Sequence, residues 1–123
     1  MPWGLKLTNN DPPLFLEIKQ GQHSYTHQES AAFQVVKKAD ALVLIDAFVE
    51  PCESCDLDLP DTGEEWVLQE DATPGSYLQY DEGFVAFTTN DSDALRFASS
   101  SMATRFSQLL DGDAGALSPL QIV

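Results

Sequence analysis

Phe15-Leu-Glu-Ile-Lys-Gln-Gly-Gln-His-Ser-Tyr-Thr-His-Gln-Glu-Ser-Ala-Ala-Phe33 and Tyr77-Leu-Gln-Tyr-Asp-Glu-Gly-Phe-Val-Ala-Phe-Thr-Thr-Asn-Asp-Ser-Asp-Ala-Leu95 align without a gap at a separation of 62 residues. Leu16/Leu78, Gly21/Gly83, Thr26/Thr88, Ser30/Ser92 and Ala32/Ala94 are identical pairs. Each stretch reads as a strand, a tight Gly turn, a second strand and a hydroxyl or amide cap that opens a helix. Two readings stay open. Any two strand, turn, strand, capped-helix units look alike, and two ββα units related by a pseudo-twofold would look the same. Both give an α+β fold.

Before the first of these stretches, Trp3 to Thr8 alternates as a half-buried strand does, and Asn9-Asn10-Asp11-Pro12-Pro13 breaks it. After it, Thr26-His27-Gln28-Glu29 has capping-box spacing and predicts a helix with Ala32, Phe33, Val36 and Ala39 on one face. Ala41-Leu-Val-Leu-Ile-Asp-Ala-Phe-Val49 is short, apolar and β-branched, which predicts a central strand covered on both sides. Residues 50–65 read as an acidic loop. Glu65 to Gln69 reads as another strand, and Ala72 to Ser76 as a turn.

In the second half, Asn90 or Asp91 is placed to cap a short helical segment through Phe97. Ser99-Ser100-Ser101 opens a helix whose Met102, Ala103, Phe106, Leu109 and Leu110 share a face, with Gly112 placed to end it. The tail, Pro119 to Val123, is an edge strand or disordered. The expectation is therefore one acidic α+β domain over residues 1–123, a mostly antiparallel sheet of hairpins with two or three helices. Its candidate repeat units are 14–49 and 77–110. Phe84 to Ser99 is similar to a pattern found in small phage and bacterial proteins; it carries no catalytic residue and names no family.

Charge narrows the function. The chain has 20 acids against 6 bases, a formal net charge of −14. Ala39 to Leu95 holds 15 of those acids and no Lys or Arg. Such a field opposes direct binding to nucleic acid or an anionic membrane and favours a basic protein surface. The amino terminus lacks the features of a signal peptide, and no segment approaches a transmembrane span, so a cytoplasmic protein is expected.

Motifs for chemistry are sparse. His23 and His27 with Cys52 and Cys55 make a zinc-like inventory, but a strand holds residues four apart about 13 Å from one another, far beyond shared coordination. Around Cys52-Glu-Ser-Cys55 the neighbouring acids raise thiol pKa values instead of activating them. Asp56, Asp58 and Asp61 lack EF-hand spacing. No phosphate loop, dinucleotide fingerprint or nucleophile elbow is present. The expectation is no catalytic, cofactor-binding or metal site, and no enzyme.

The leading functional expectation is an acidic inhibitor or interaction protein that binds a basic, nucleic-acid-handling protein through Glu50, Glu53, Asp56, Asp58, Asp61, Glu64 and Glu65. Carboxylates in the Lys and Arg subsites that normally hold phosphates would make it a nucleic-acid mimic, in the manner of anti-restriction and anti-CRISPR proteins of phages and other mobile elements. The alternative is an adaptor, immunity-type or subunit protein, homodimers included, that pairs through an apolar sheet face or an edge strand. Leu120 to Val123 and Trp3 to Leu7 are its candidate edges.

Overall fold

The computed structural model describes residues 2–81, 84–110 and 116–122. Strands β1 (Trp3–Leu7), β2 (Phe15–Lys19) and β3 (Gln22–Thr26) lead through a 3-10 turn at Glu29–Ala31 to helix α1 (Lys38–Leu44), a second 3-10 turn at Ile45–Ala47 and strand β4 (Cys52–Asp56). The order then recurs. Strands β5 (Glu65–Glu70), β6 (Tyr77–Asp81) and β7 (Phe84–Thr88) precede a 3-10 turn at Asp91–Asp93, helix α2 (Ser100–Leu109) and strand β8 (Leu117–Ile122). Two antiparallel four-stranded sheets result, in the orders β3-β2-β1-β4 and β7-β6-β5-β8. This is an α+β fold.

The segment after each 3-10 turn joins the sheets. Val35 exchanges hydrogen bonds with Trp3, 2.9 Å in both directions, and Phe97 does so with Trp66 at 2.8 and 3.0 Å. Val35 also pairs with Phe97 antiparallel, with Val36 N–H donating to the Arg96 carbonyl at 3.0 Å and Ala98 N–H to that of Gln34 at 3.4 Å. An antiparallel pair is by geometry locally twofold, here between Val35 and Phe97. The element preceding this match is displaced by one residue, because Lys6 pairs with Phe15 but Gln69 pairs with Tyr77.

These bridging segments correct the helix expected from Thr26. The Thr26 hydroxyl accepts from Gln28 N–H, and one 3-10 turn satisfies the next amides. Phe33 N–H then bonds the Leu16 carbonyl at 2.8 Å, so sheet partners take the amides a helix would have used. Ala41–Val49 is corrected too. It forms α1 and a 3-10 turn instead of a central strand, with Ala41 and Leu44 buried and Leu42 and Val43 exposed, a helical spacing. An unbroken apolar run has no periodicity to separate these cases. The reciprocal contact of Lys37 N–H with the Asp40 carboxylate, 3.3 Å, starts the helix.

Residues 50–65 are corrected in part, because β4 interrupts the expected loop and pairs with β1 from Trp3↔Asp56 to Leu7↔Cys52. The ββα units at 14–49 and 77–110 leave out β1 and β4 in the first half and β5 and β8 in the second. Trp3–Leu7 lies between β2 and β4 and offers no free edge, whereas β8 is an edge strand and tolerates Pro119 for that reason. The second hairpin and the Ser99 cap match expectation, with Ser99 Oγ accepting from Met102 N–H at 3.2 Å. Gly112 lies outside the described residues.

The core sits where both helices meet both sheets. Phe106 of α2 stacks on Phe33 at 5.6 Å between ring centroids and touches Phe97 at 5.4 Å and Tyr80 at 5.8 Å. Leu5, Leu16, Val35, Leu44, Leu68 and Leu78 close around these rings. A smaller cluster of Phe15, Ala32, Cys55 and Leu57 lies apart from it. Gly4 allows this close approach, because a Cβ there would sit 2.9 Å from Leu57 and 3.0 Å from the Phe33 carbonyl.

Phe106→Ala should cost about 3–5 kcal/mol in urea unfolding, since it empties the centre that both halves share. Asp40 gives a second prediction. Burial raises its carboxyl from 3.8 to about 6, against the opposing pull of Lys37 and Arg96. An acid whose pKa is raised by folding favours the native state only below its unfolded pKa, so stability should fall by up to about 3 kcal/mol as pH rises from about 4 to above 6. Asp40→Asn should flatten that slope in melts across this range.

Candidate functional site

β4 is an edge strand, and its alternation decides where the acidic residues go. Cys52 joins the main core while Cys55, three residues on, joins the smaller cluster, so the two thiols face opposite sides of the sheet. Both are free and buried. Burial is the main reason each thiol pKa is raised, that of Cys55 to about 11. They are strand residues and not the loop thiols expected, and neither is activated as a nucleophile.

His23 and His27 also part company. His27 Nδ1–H donates to the Pro13 carbonyl at 2.9 Å, whereas His23 Nε2 meets Glu50 Oε1 at 2.9 Å. Tyr25 OH donates to the same Glu50 oxygen at 2.8 Å and lies 3.6 Å from Cys52 Sγ. His23 first, then Tyr25, holds the Glu50 carboxyl below its usual range. Burial, with Cys52 and Glu50 adding to it, pushes the Tyr25 phenol far up. The network ties the β2–β3 hairpin to the start of β4. Among the described residues no group of three or more His, Cys, Asp or Glu is arranged to hold a metal ion.

The seven candidate carboxylates therefore divide. Glu50 is held by His23 and Tyr25, and Glu53 pairs with Lys6 at 3.5 Å, an exposed contact of little energetic weight. β4 then runs five residues, about 17 Å, to its other end. There Asp56 and Asp58 are exposed, Leu57 N–H bonds the Pro2 carbonyl at 3.1 Å, and Asp58 N–H bonds the Glu29 carboxylate at 3.2 Å.

Pro2 leads directly into a recess of about 330 Å³. Val36 and Ala98, which correspond across the local twofold, line it with Pro2, and residues 61–65 complete it. Asp61, Glu64 and Glu65 supply three carboxylates. Trp66 Nε1–H donates to Glu64 at 2.8 Å, which orients that carboxylate without neutralising it. Arg96 donates to Glu65 at 2.9 Å with its guanidinium largely buried, so this third charge is matched. The Thr62 hydroxyl donates to the Ala98 carbonyl and fixes the connecting segment over the bridging strands.

The structure thus gathers Asp56, Asp58, Asp61, Glu64 and Glu65 at one end of β4 and leaves Glu50 and Glu53 toward the other. Sequence reasoning missed Glu29, Pro2, Val36, Ala98 and Arg96 here. Only Glu29 had a signal, its acid at capping-box spacing, and that carboxylate serves Asp58 instead. Val36, Arg96 and Ala98 come from the bridging segments, and Pro2 is held through its carbonyl by Leu57 N–H. Comparison with protein-family models, with curated proteins and with solved structures finds no match.

Glu50 generates a prediction of opposite sign to that of Asp40. A carboxyl lowered by folding contributes stability above its unfolded pKa and loses it as pH falls through its folded pKa. Glu50→Gln should therefore melt below the parent protein at pH 7, and the gap should close as pH drops below the carboxylate range, as followed by circular dichroism.

Proposed function

We propose that this protein binds a basic surface of a nucleic-acid-handling protein and inhibits it by occupying subsites for phosphate. The supporting observation is the recess between the bridging segments, where Glu64 shares the lining with apolar Pro2, Val36 and Ala98, flanked by Asp56, Asp58 and Glu29. A Lys or Arg side chain suits such a site, since its stem packs on the floor while its charged head meets carboxylates. The hydrogen bond at Glu64 comes from an uncharged indole N–H.

The wider charge distribution favours the same partner. Lys6, Lys19 and Arg96 are paired with Glu53, Glu17 and Glu65, and Lys38 lies over the Trp3 ring at 5.6 Å. Little positive charge is left to offset the excess of acids. Opposed fields accelerate encounter, and salt weakens it. Competition then requires no catalytic group on this chain, because occupancy alone excludes the nucleic acid.

The expected outcome is that the protein binds a nona-arginine peptide and competes with an oligonucleotide for it, with affinity falling steeply between low and physiological salt. The double reversal Asp58→Lys/Asp61→Lys should weaken binding about tenfold or more, each 1.4 kcal/mol being one factor of ten. Asp11→Lys/Asp46→Lys changes net charge equally but lies elsewhere in the sequence. Equal losses in both variants by calorimetry would mean that net charge alone drives binding, and would sink the assignment of the recess.

A further inference from the structure

Each sheet ends in strands with one unpaired side, and these outer strands are β3, β4, β7 and β8. Among them β4 alone carries carboxylates within the strand, Glu53 and Asp56, and both are exposed. Its ladder runs to β1 only. Leu57 N–H donates to the Pro2 carbonyl and Thr8 N–H to that of Pro51, so residues 51, 53, 55 and 57 turn their backbone groups toward β1. Cys52, Ser54 and Asp56 therefore turn theirs toward the unpaired side.

The next amide in that alternation, the one of Asp58, is taken by the Glu29 carboxylate at 3.2 Å. The open stretch is thus bounded just beyond Asp56. It covers the five residues of β4, about 17 Å of edge. Backbone groups in such a row are satisfied by water or by an added strand, and a strand supplies them in register.

Charge selects the occupant. Glu53 lies on the face of Cys55 and Asp56 on the face of Cys52, so the two carboxylates flank the edge from opposite sides. Among the described residues the ion pairs of Lys6, Lys19, His23 and Arg96 go to Glu53, Glu17, Glu50, Glu65 and Asp91, and none goes to Asp56. A second copy paired at this edge would bring like carboxylates together, with −14 on each chain. A basic segment reverses the sign. Because the two acids are three residues apart and on opposite faces, its cations must be three apart as well. We propose that β4 is the edge on which an extended segment of another protein, with Lys or Arg at two positions three apart, is added as a further strand. This rests on the basic partner proposed above and gives that partner's contact a backbone conformation and a spacing.

The test titrates the peptide Val-Lys-Thr-Val-Lys-Thr-Val into the full chain and follows amide chemical shifts. Shifts should centre on Cys52 to Asp56. Glu53→Gln/Asp56→Asn should weaken binding by about five- to tenfold, the loss of two cross-strand charge pairs. The same peptide N-methylated at alternate positions on its pairing edge should fail to bind, which checks strand addition without altering the protein. Equal binding of the N-methylated peptide, shifts centred on residues 61–65, or a dimer paired through β4 in sedimentation would each overturn the strand-addition proposal. Binding of nona-arginine but not of this peptide would also overturn it, while leaving the basic partner in place. Failure of both peptides to bind would remove the basic partner too.

Discussion

The pairing of the Val35 and Phe97 segments is the constraint on which the structure depends. Each is short, and each holds one β strand on its outer side and the other segment on its inner side. Their amides must be satisfied within the sheets, because Val35, Phe97 and Ala98 are buried. Breaking the pair would separate the two sheets and expose Phe33, Phe97 and Phe106 together. Few hydrogen bonds are involved, yet the aromatic packing across them makes their geometry costly to change.

The same junction creates the acidic recess. Val36 and Ala98 floor it because they follow the paired residues, and Arg96 reaches Glu65 from the same segment. One guanidinium anchors its rim at Glu65, while Glu64 is bonded by the Trp66 indole. Asp40 meets the backbone of this junction at Arg96, where burial rather than any like charge raises its pKa. Architecture and electrostatics are therefore coupled at one place.

Much of the fold is legible in the chain. The hairpins follow from alternating apolar residues around a Gly turn, and Gln20 and Gly21 both take positive φ there, 55° and 74°. The Ser99 cap and the apolar face of α2 are also explicit. Ala41 to Val49 is not, since a run apolar at every position fits a buried strand and a helix equally until the Lys37 and Asp40 contact is known. Thr26 to Glu29 announced a helix and yielded one turn, because the competing sheet partner lies in a distant part of the chain. At the candidate site the carboxylates were visible, but their division along β4 was not.

Composition and local pattern alone determined the α+β class, the two matching hairpins, the carboxyl-terminal amphipathic helix and the acidity of the middle region. Each depends on residues within a few positions of one another or on a simple charge sum. Tertiary structure decided that β4 runs through the acidic stretch with its cysteines on opposite faces, and that five carboxylates gather near Pro2. These depend on which strand finds which partner, and that is set by burial and amide satisfaction over the whole chain.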